Sequence, residues 1–305
     1  MVERAAVLAA EETGLSWSGI PSVEVVSRGE WARANLATFA RLLAPVEERL
    51  AEGRQGMGRR MAARVTGAEV GALVGVLARK VLGQYELVIP ADDRPGDTVM
   101  FVGGNLLAME RLYEFRPDEF RFWVALHECT HRLQFVGVPW MTGHFLGLVR
   151  DLVDSSVPDP DAAGRLAELR EAARRGRPRL DDSGLLGLLA TPTQRRLIDR
   201  VQALMSLLEG HGHVVMDRIG GRMLVTQDRM SRVLKSRRKD PRMRAFLRIT
   251  GLEMKFRQYE MGERFILEVE RRAGFAALDA AWQGPASLPT LDEIKRPERW
   301  LSRVA

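Results

Sequence analysis

Two histidines four residues apart, His127 and His131, constrain this chain more than any other feature, and Glu128 directly follows the first of them. The surrounding residues are typical of a helix, in which positions i and i+4 lie on the same face. Two imidazoles so placed can share one Zn²⁺, while the carboxylate between them can reach a water molecule on the metal. The pattern therefore predicts a zinc-binding helix with Glu128 as the catalytic base.

The residues on either side predict where this helix begins and ends. Pro117 suits a first helical position, Glu119 falls in the first turn where the helix dipole favours acids, and Gly137 before Pro139 favours an end. The chain has five histidines in 305 residues, so this spacing would rarely arise by chance. The alternative is a helix that carries two incidental histidines.

Composition and cysteine content limit the class of protein. With 305 residues, 46% of them hydrophobic and 28% charged, the chain can bury a large core and is expected to form two lobes. It lacks an apolar run long enough to span a membrane, and its first residues do not resemble a secretory signal. The single cysteine, Cys129, excludes an intrachain disulfide and favours a cytoplasmic location. We interpret Cys129 as a small buried residue.

Apolar periodicity indicates that most of the remaining chain is helical. Pro45 is expected to kink or divide one helix, and Gly220 and Gly221 to end another. Helices are predicted over residues 30–52, 59–82, 106–114, 140–153, 192–219 and 252–269, and short strands over 85–89 and 98–102. Thr191 and Gln194 predict a capping box at the start of the helix over 192–219.

The two strands could pair antiparallel just before the metal-binding helix, and a sheet edge there could bind an extended substrate. The sequence thus predicts a mainly α protein with a small β-sheet (α+β). Residues 1–139 would form an N-terminal lobe that contains the sheet and the paired histidines, and residues 140–305 a helical C-terminal lobe. The active-site cleft would lie between the lobes.

Catalytic zinc normally has three protein ligands, so a third must come from elsewhere. A histidine six residues after His131 is absent, because Gly137 stands there, and Gln134 replaces the glycine of that pattern. Glu209 is the preferred ligand, because it follows the apolar face of a helix and an unpaired carboxylate near a core would be costly. His144 is the weaker candidate.

Further candidates lie near Glu209 and later in the chain. Gly210 would allow a close backbone approach, and His213, one turn after Glu209, could orient the ligand or stabilise an oxyanion. Tyr259 could donate a hydrogen bond to the same oxyanion. The alternatives are a polar helix end without chemistry for His211 and His213, and core packing for Tyr259.

The densest basic block covers residues 227–248 of a chain whose net charge is +6. It could contact phosphates, but aromatic residues are not interleaved before Phe246 and no nucleic-acid-binding motif accompanies it. We interpret the block as a solvated face or loop. The expected partner is a peptide or small amide substrate, rather than a nucleic acid or a membrane.

One stretch, Ala-Leu-His-Glu-x-Thr-His-x-Leu-Gln-Phe-x-Gly-Val-Pro-Trp over 125–140, resembles a zincin-like family of unknown function found mainly in actinobacteria. Its members are labelled zinc-dependent metalloproteases or hydrolases associated with deazaflavin-coenzyme biosynthesis. The likeness extends from about Tyr85 onward and includes motifs at 207–211, 215–217, 255–262 and 288–290. It implies a zincin-like metalloprotease fold in which Glu209 completes the metal site. Arg132 departs from the general signature, which prefers an uncharged residue there, and could be a surface residue.

Three hypotheses follow for the function. The first is a zinc-dependent metallopeptidase or hydrolase that cleaves an amide bond, with Zn²⁺ held by His127, His131 and Glu209 and with Glu128 as general base. The second is a non-catalytic zincin-fold accessory or binding protein of a coenzyme biosynthesis pathway. The third is a nucleic-acid-binding protein that uses the arginine-rich block.

Overall fold

The computed structural model describes residues 1–16, 19–52, 67, 71–86, 97–155, 191–238 and 253–305, apart from the side chains of 42–43, 45–52 and 253–259. These residues are mostly helical, and the predicted α+β class with a small sheet is confirmed. The elements in chain order are α1 (Val2–Thr13), β1 (Ser22–Val26), α2 (Arg28–Glu52), β2 (Gly83–Glu86), β3 (Thr98–Val102), α3 (Gly103–Tyr113), α4 (Pro117–Val136), α5 (Met141–Ser155), α6 (Pro192–Met223), α7 (Gln227–Arg238), α8 (Glu253–Ala273), two 3₁₀ segments (Phe275–Trp282 and Pro285–Ser287), α9 (Leu291–Lys295) and α10 (Pro297–Val304).

The sheet has three strands in the order β1-β3-β2. Strands β2 and β3 pair antiparallel, as predicted, with Tyr85 opposite Val99. Strand β1 pairs parallel with β3 and was not predicted. All five residues of β3 are buried, whereas Val23 and Val25 of β1 are exposed, so β1 lacks the alternating burial that identifies a strand from sequence. Strand β2 lies at an edge of the sheet, so its outer backbone groups do not pair with another strand of the sheet. One of them, the N–H of Tyr85, donates to a residue of the helix that carries the paired histidines.

Helix α4 begins and ends where the sequence predicted. Pro117 occupies the first turn with Asp118 and Glu119, and the N–H of Gly137 donates to the carbonyl of Leu133 at the other end. The helix is buried on most sides, and Trp123 is among its fully buried side chains. It packs in one hydrophobic cluster with α1, α3 and part of α6, so α4 lies at the centre of this cluster.

Helix α6 begins with the predicted capping box at Thr191. The hydroxyl of Thr191 accepts from the backbone N–H of Gln194, and the Gln194 amide oxygen accepts from the N–H of Thr191. The predicted end at Gly220 is wrong, because the helix continues to Met223. A Cβ on Gly220 would lie 3.1 Å from Cδ1 of Trp123, so this glycine permits close packing against α4 instead of ending α6.

Helices α6 and α8 approach until their backbones touch. A Cβ on Gly210 would lie 2.2 Å from the carbonyl carbon of Gly262, and a Cβ on Gly262 would lie 1.8 Å from the carbonyl oxygen of Ser206. The close approach expected at Gly210 is therefore present, and it fixes the part of α6 that carries Glu209.

Other predictions have mixed outcomes. Helix α2 runs undivided from Arg28 to Glu52, so Pro45 does not split it. Residues 71–77 are helical, as predicted for part of 59–82, while 53–66, 68–70, 87–96, 156–190 and 239–252 lie outside the described residues. None of the described helices is long and apolar enough to cross a membrane. The two-lobe division stays a prediction, and one hydrophobic cluster draws side chains from both sides of residue 139.

Candidate metal centre

Three potential ligand atoms converge between α4 and α6. The Nε2 atoms of His127 and His131 lie 3.0 Å apart, and Oε2 of Glu209 lies 3.5 Å from the first and 3.3 Å from the second. A tetrahedral zinc ion, bound about 2.0–2.1 Å from each ligand atom, would separate those atoms by about 3.3–3.4 Å. Two imidazole nitrogens and a carboxylate oxygen at these separations fit a divalent metal ion in both chemistry and spacing.

The fold brings these ligands together by local and long-range means. His127 and His131 share a face of α4 because they are four residues apart. Glu209 arrives from α6, where Gly212 lies against both imidazoles. A Cβ on Gly212 would lie 3.3 Å from Cε1 of each ring, so a glycine leaves space for the backbone of α6 beside the histidines. The glutamate side chain is nearly buried and each histidine side chain is 16% exposed.

Glu128 points from α4 toward the edge strand β2. Its Oε2 accepts a hydrogen bond from the backbone N–H of Tyr85 at 3.1 Å. A Cβ on Gly83 would lie 2.7 Å from Cγ of Glu128, so any larger residue at 83 would displace this carboxylate. Burial raises the pKa of Glu128, the charges of the two site histidines offset part of that rise, and the carboxylate of Glu209 adds to it.

His131 has a second set of partners on the side away from Glu209. Its Nδ1 lies 2.9 Å from Oε1 of Gln134, whose Nε2 lies 2.9 Å from the carbonyl oxygen of Leu208 and 3.0 Å from Nδ1 of His211. Burial would lower the pKa of His131, but the hydrogen bond and charge of Glu209, with Glu128 and Gln134, raise it to about 9. Through Gln134, His131 is thus connected to α6 as well as to its own helix, α4.

His211 is a core residue. It is 1% exposed, stacks on Phe275 with ring centroids 6.0 Å apart and meets the edge of Trp282. Burial lowers its pKa to about 3, with a further contribution from the charge of His131, so it is neutral. Because α6 continues to Met223, the alternative of a polar helix end is wrong for both His211 and His213.

His213 belongs to a second group of potential ligand atoms on the next turn of α6. Its Nε2 lies 3.6 Å from Oδ2 of Asp217 and 3.8 Å from Oε2 of Glu263 in α8. The ammonium of Lys235 lies 2.6 Å from the other oxygen of Glu263, and Asp217 also accepts from Gln227 and Ser231. His213 therefore faces two carboxylates, and the ammonium of Lys235 already balances part of their negative charge.

The remaining candidates have distinct surroundings. His144 packs edge-on against Trp140 and does not belong to either group of ligand atoms found among the described residues. Tyr259 lies in α8, but its side chain is outside the described residues. Cys129 is fully buried, as predicted, and burial raises the pKa of its thiol to about 12.

Arg132 is not a surface residue, and this interpretation of the sequence was wrong. It is fully buried, and its guanidinium donates to both carboxylate oxygens of Asp97 at 2.5 Å. A buried arginine with a paired carboxylate can be tolerated inside a protein because each charge compensates the other. The pair links α4 to the residue that precedes β3, and so holds the sheet against the helix.

Comparisons with known proteins show the family of this chain. The sequence profile of the zincin-like metallopeptidase family matches residues 1–301. The chain belongs to this family. Membership implies a bound metal ion, typically zinc, and the residues around His127 and His131 fit one. The recognised zincin-like family is thus confirmed at family level.

A solved structure extends the likeness. The zincin-like chain superimposes on the crystal structure of a protein from Chloroflexus aurantiacus, described as a candidate hydrolase with a novel fold, with a TM-score of 0.70 and 29% sequence identity. The match covers 99% of this chain and 87% of the other. No curated protein matches the chain.

Sequence reasoning missed Gln134, Gly83 and the backbone of Tyr85 as parts of the site. Gln134 had a detectable signal, since it lies three residues after His131 and seven after His127, on the same face of the helix. Gly83 and Tyr85 gave no such signal, because their contact with Glu128 depends on how the sheet packs against α4.

Proposed function

We propose that this zincin-like protein is a zinc-dependent hydrolase that cleaves an amide bond in a peptide or a small amide substrate. The observation that carries the proposal is the convergence of His127, His131 and Glu209 beside a buried Glu128. Family membership and the hydrolase described for the similar structure support it.

The proposed ligands of the ion are His127 and His131 through Nε2 and Glu209 through its carboxylate. When bound, zinc supplies a Lewis acid that polarises a carbonyl and acidifies a water molecule. The two imidazoles act as neutral donors, and the carboxylate balances part of the positive charge. Their separations of 3.0–3.5 Å suit the coordination of a single ion.

Glu128 is the proposed general base. The N–H of Tyr85 holds one carboxylate oxygen and so fixes the orientation of the group that would accept a proton from water. Burial raises the pKa of this carboxyl, which makes it a better proton acceptor and allows it to pass the proton on to the leaving amine. Strand β2 thus holds the carboxylate of Glu128 in place, and burial raises its pKa.

Stabilisation of the oxyanion is assigned to Tyr259, on the basis of the sequence alone. Nε2 of His213 lies beside the carboxylates of Asp217 and Glu263, outside the group formed by His127, His131 and Glu209. The contacts of His213 therefore give no support to its assignment as a catalytic residue.

The test combines metal analysis with one matched pair of variants. We expect about one zinc per wild-type chain and cleavage within a library of peptides and small amides, measured by mass spectrometry. Glu128→Gln should keep the zinc and lose about 10²- to 10⁴-fold in rate, the usual contribution of a general base. Glu298→Gln, the same change at an exposed position in α10, should behave like the wild type.

Two results would overturn the proposal in different ways. A zinc-loaded Glu128→Gln variant with the wild-type rate would reject Glu128 as the base. A zinc-loaded wild type that leaves every peptide and amide intact would reject hydrolysis and favour the non-catalytic accessory protein.

A further inference from the structure

The side chain of Gln134 connects α4 and α6 behind the candidate metal centre. It is completely buried, and its amide contacts three groups: Nδ1 of His131, the backbone carbonyl of Leu208 and Nδ1 of His211. Two of these groups lie on either side of Glu209 in sequence. Gln134 therefore touches one proposed ligand and the backbone that positions another.

The contacts determine which way the amide points. The carbonyl oxygen of Leu208 can only accept a hydrogen bond, so the amide atom 2.9 Å from it must be the NH₂ group. The amide oxygen then faces Nδ1 of His131 at 2.9 Å. Since that oxygen can only accept, Nδ1 of His131 must carry a proton and donate it.

The same reasoning sets which ring nitrogen donates and which accepts at each contact with Gln134. When His131 acts as a metal ligand its ring is neutral, and the proton on Nδ1 leaves Nε2 unprotonated, the nitrogen that faces His127 and Glu209. Because the Gln134 NH₂ can only donate, Nδ1 of His211 accepts from it. One backbone carbonyl thus fixes the hydrogen-bond directions across the whole chain of contacts.

The other histidine lacks such support. Among the residues that the structure describes, Nδ1 of His127 has no hydrogen-bond partner. The two members of the pair therefore differ: His131 is held in one orientation by Gln134, and His127 is held by packing, in part against the backbone at Gly212.

We propose that Gln134 is a positioning residue that holds His131 as the Nδ1–H tautomer and so presents its Nε2 to the metal. This inference rests on the proposed function, because it takes His131 as a ligand. Partners of this kind typically contribute 10- to 100-fold to metal affinity.

The test compares three variants by zinc affinity, measured by competition with a chelator. Gln134→Leu removes the acceptor at similar volume and should weaken zinc binding 10- to 100-fold. Gln134→Glu keeps an acceptor for Nδ1–H and should bind zinc more tightly than Gln134→Leu. Gln202→Leu makes the same change at another buried glutamine, two turns before Glu209 in α6, so its affinity should stay within about threefold of the wild type.

A second readout follows the proton itself. In the zinc-loaded wild type, the ¹H–¹⁵N resonance of His131 Nδ1–H should be protected from solvent exchange, and this protection should be lost in Gln134→Leu. A purely structural role would lower the zinc affinity of Gln134→Leu and Gln202→Leu alike and would leave this resonance unchanged. If Gln134→Leu does not fold, the wild-type spectrum alone still decides.

The outcomes separate this inference from the proposed function. A wild-type spectrum in which Nδ1 of His131 is unprotonated or bound to zinc would overturn the inference. So would wild-type affinity in Gln134→Leu, even if zinc binding and the loss of hydrolysis in Glu128→Gln are both observed. A wild type that does not bind zinc would instead reject the proposed function.

Discussion

Two groups of metal-ligand side chains lie one turn apart on helix α6, and they differ in how their charges are balanced. The first group joins Glu209 to two histidines of α4. The second joins His213 and Asp217 to Glu263 of α8, and the ammonium of Lys235 lies 2.6 Å from that last carboxylate. The same helix thus contributes to a group of two imidazoles with one acid and to a group of one imidazole with two acids.

The difference shows why residue types alone do not identify a metal centre. In the second group, Lys235 already supplies a positive charge to the acids, and side-chain donors from α7 occupy both oxygens of Asp217. In the first group, two imidazole nitrogens and one oxygen are directed toward a common point. A metal ion would complete the first group, but it would have to displace a lysine from the second.

The largest expected effect is the loss of zinc in Glu209→Gln. Replacing the carboxylate by an amide removes the charge and the strongest oxygen donor, so the zinc content after dialysis should fall from about one to nearly zero. Glu263→Gln is the matched control in the second group and should keep the zinc. Metal analysis by mass spectrometry of the purified variants measures both.

This comparison can fail in two ways. Two zinc ions per wild-type chain, with one lost in Glu263→Gln, would show that the second group is also a metal centre. Full zinc content in Glu209→Gln would show that another residue provides the third ligand, and His144 would be the next candidate from the sequence.

The site was predictable from sequence where its features are local. The spacing of His127 and His131, the ends of α4 and the capping box at Thr191 all depend on residues within one or two turns of each other. Glu209 was chosen because the apolar face of its own helix indicated burial. In each case, short-range helical geometry contains most of the information.

The features that sequence reasoning missed depend on contacts between distant segments. Arg132 is buried because Asp97, before β3, supplies its partner. Strand β1 exists because β3 offers a free edge, even though Val23 and Val25 are exposed. Gly220 permits packing against Trp123, so its presence near the predicted helix end was misinterpreted. Such partners cannot be identified from one sequence without the fold.

The crossing of α6 and α8 lies between the two groups and gives the next largest effect. Gly210 follows Glu209, and Gly262 precedes Glu263. Because a Cβ on Gly262 would lie 1.8 Å from the Ser206 carbonyl oxygen, Gly262→Ala should force the helices apart and lower the free energy of unfolding by about 3 kcal/mol or more. Urea denaturation followed by circular dichroism measures it.

Gly147→Ala is the control for that crossing. This residue lies inside α5, and a Cβ added there would have nothing within 4 Å, so alanine should stabilise the protein by about 0.5–1 kcal/mol through helix propensity. Equal stability losses in both variants would contradict the close crossing as the cause. If Gly262→Ala is destabilised yet binds zinc with unchanged affinity, the crossing supports the fold without positioning Glu209.

The smallest effects should come from two glycines that touch different parts of the centre. A Cβ on Gly83 would meet Glu128, whereas a Cβ on Gly212 would lie 3.3 Å from both histidine rings. Gly83→Ala should therefore lower the hydrolytic rate about 10-fold or more with zinc affinity unchanged, because only the base moves. Gly212→Ala should weaken zinc binding by about 3- to 10-fold, because the ligands must shift by a few tenths of an ångström. Chelator competition and peptide cleavage, measured on both variants, distinguish the two.

Equal loss of zinc affinity in both variants would contradict this prediction. It would mean that Glu128 and the metal ligands move together, although it is Glu128 that β2 contacts.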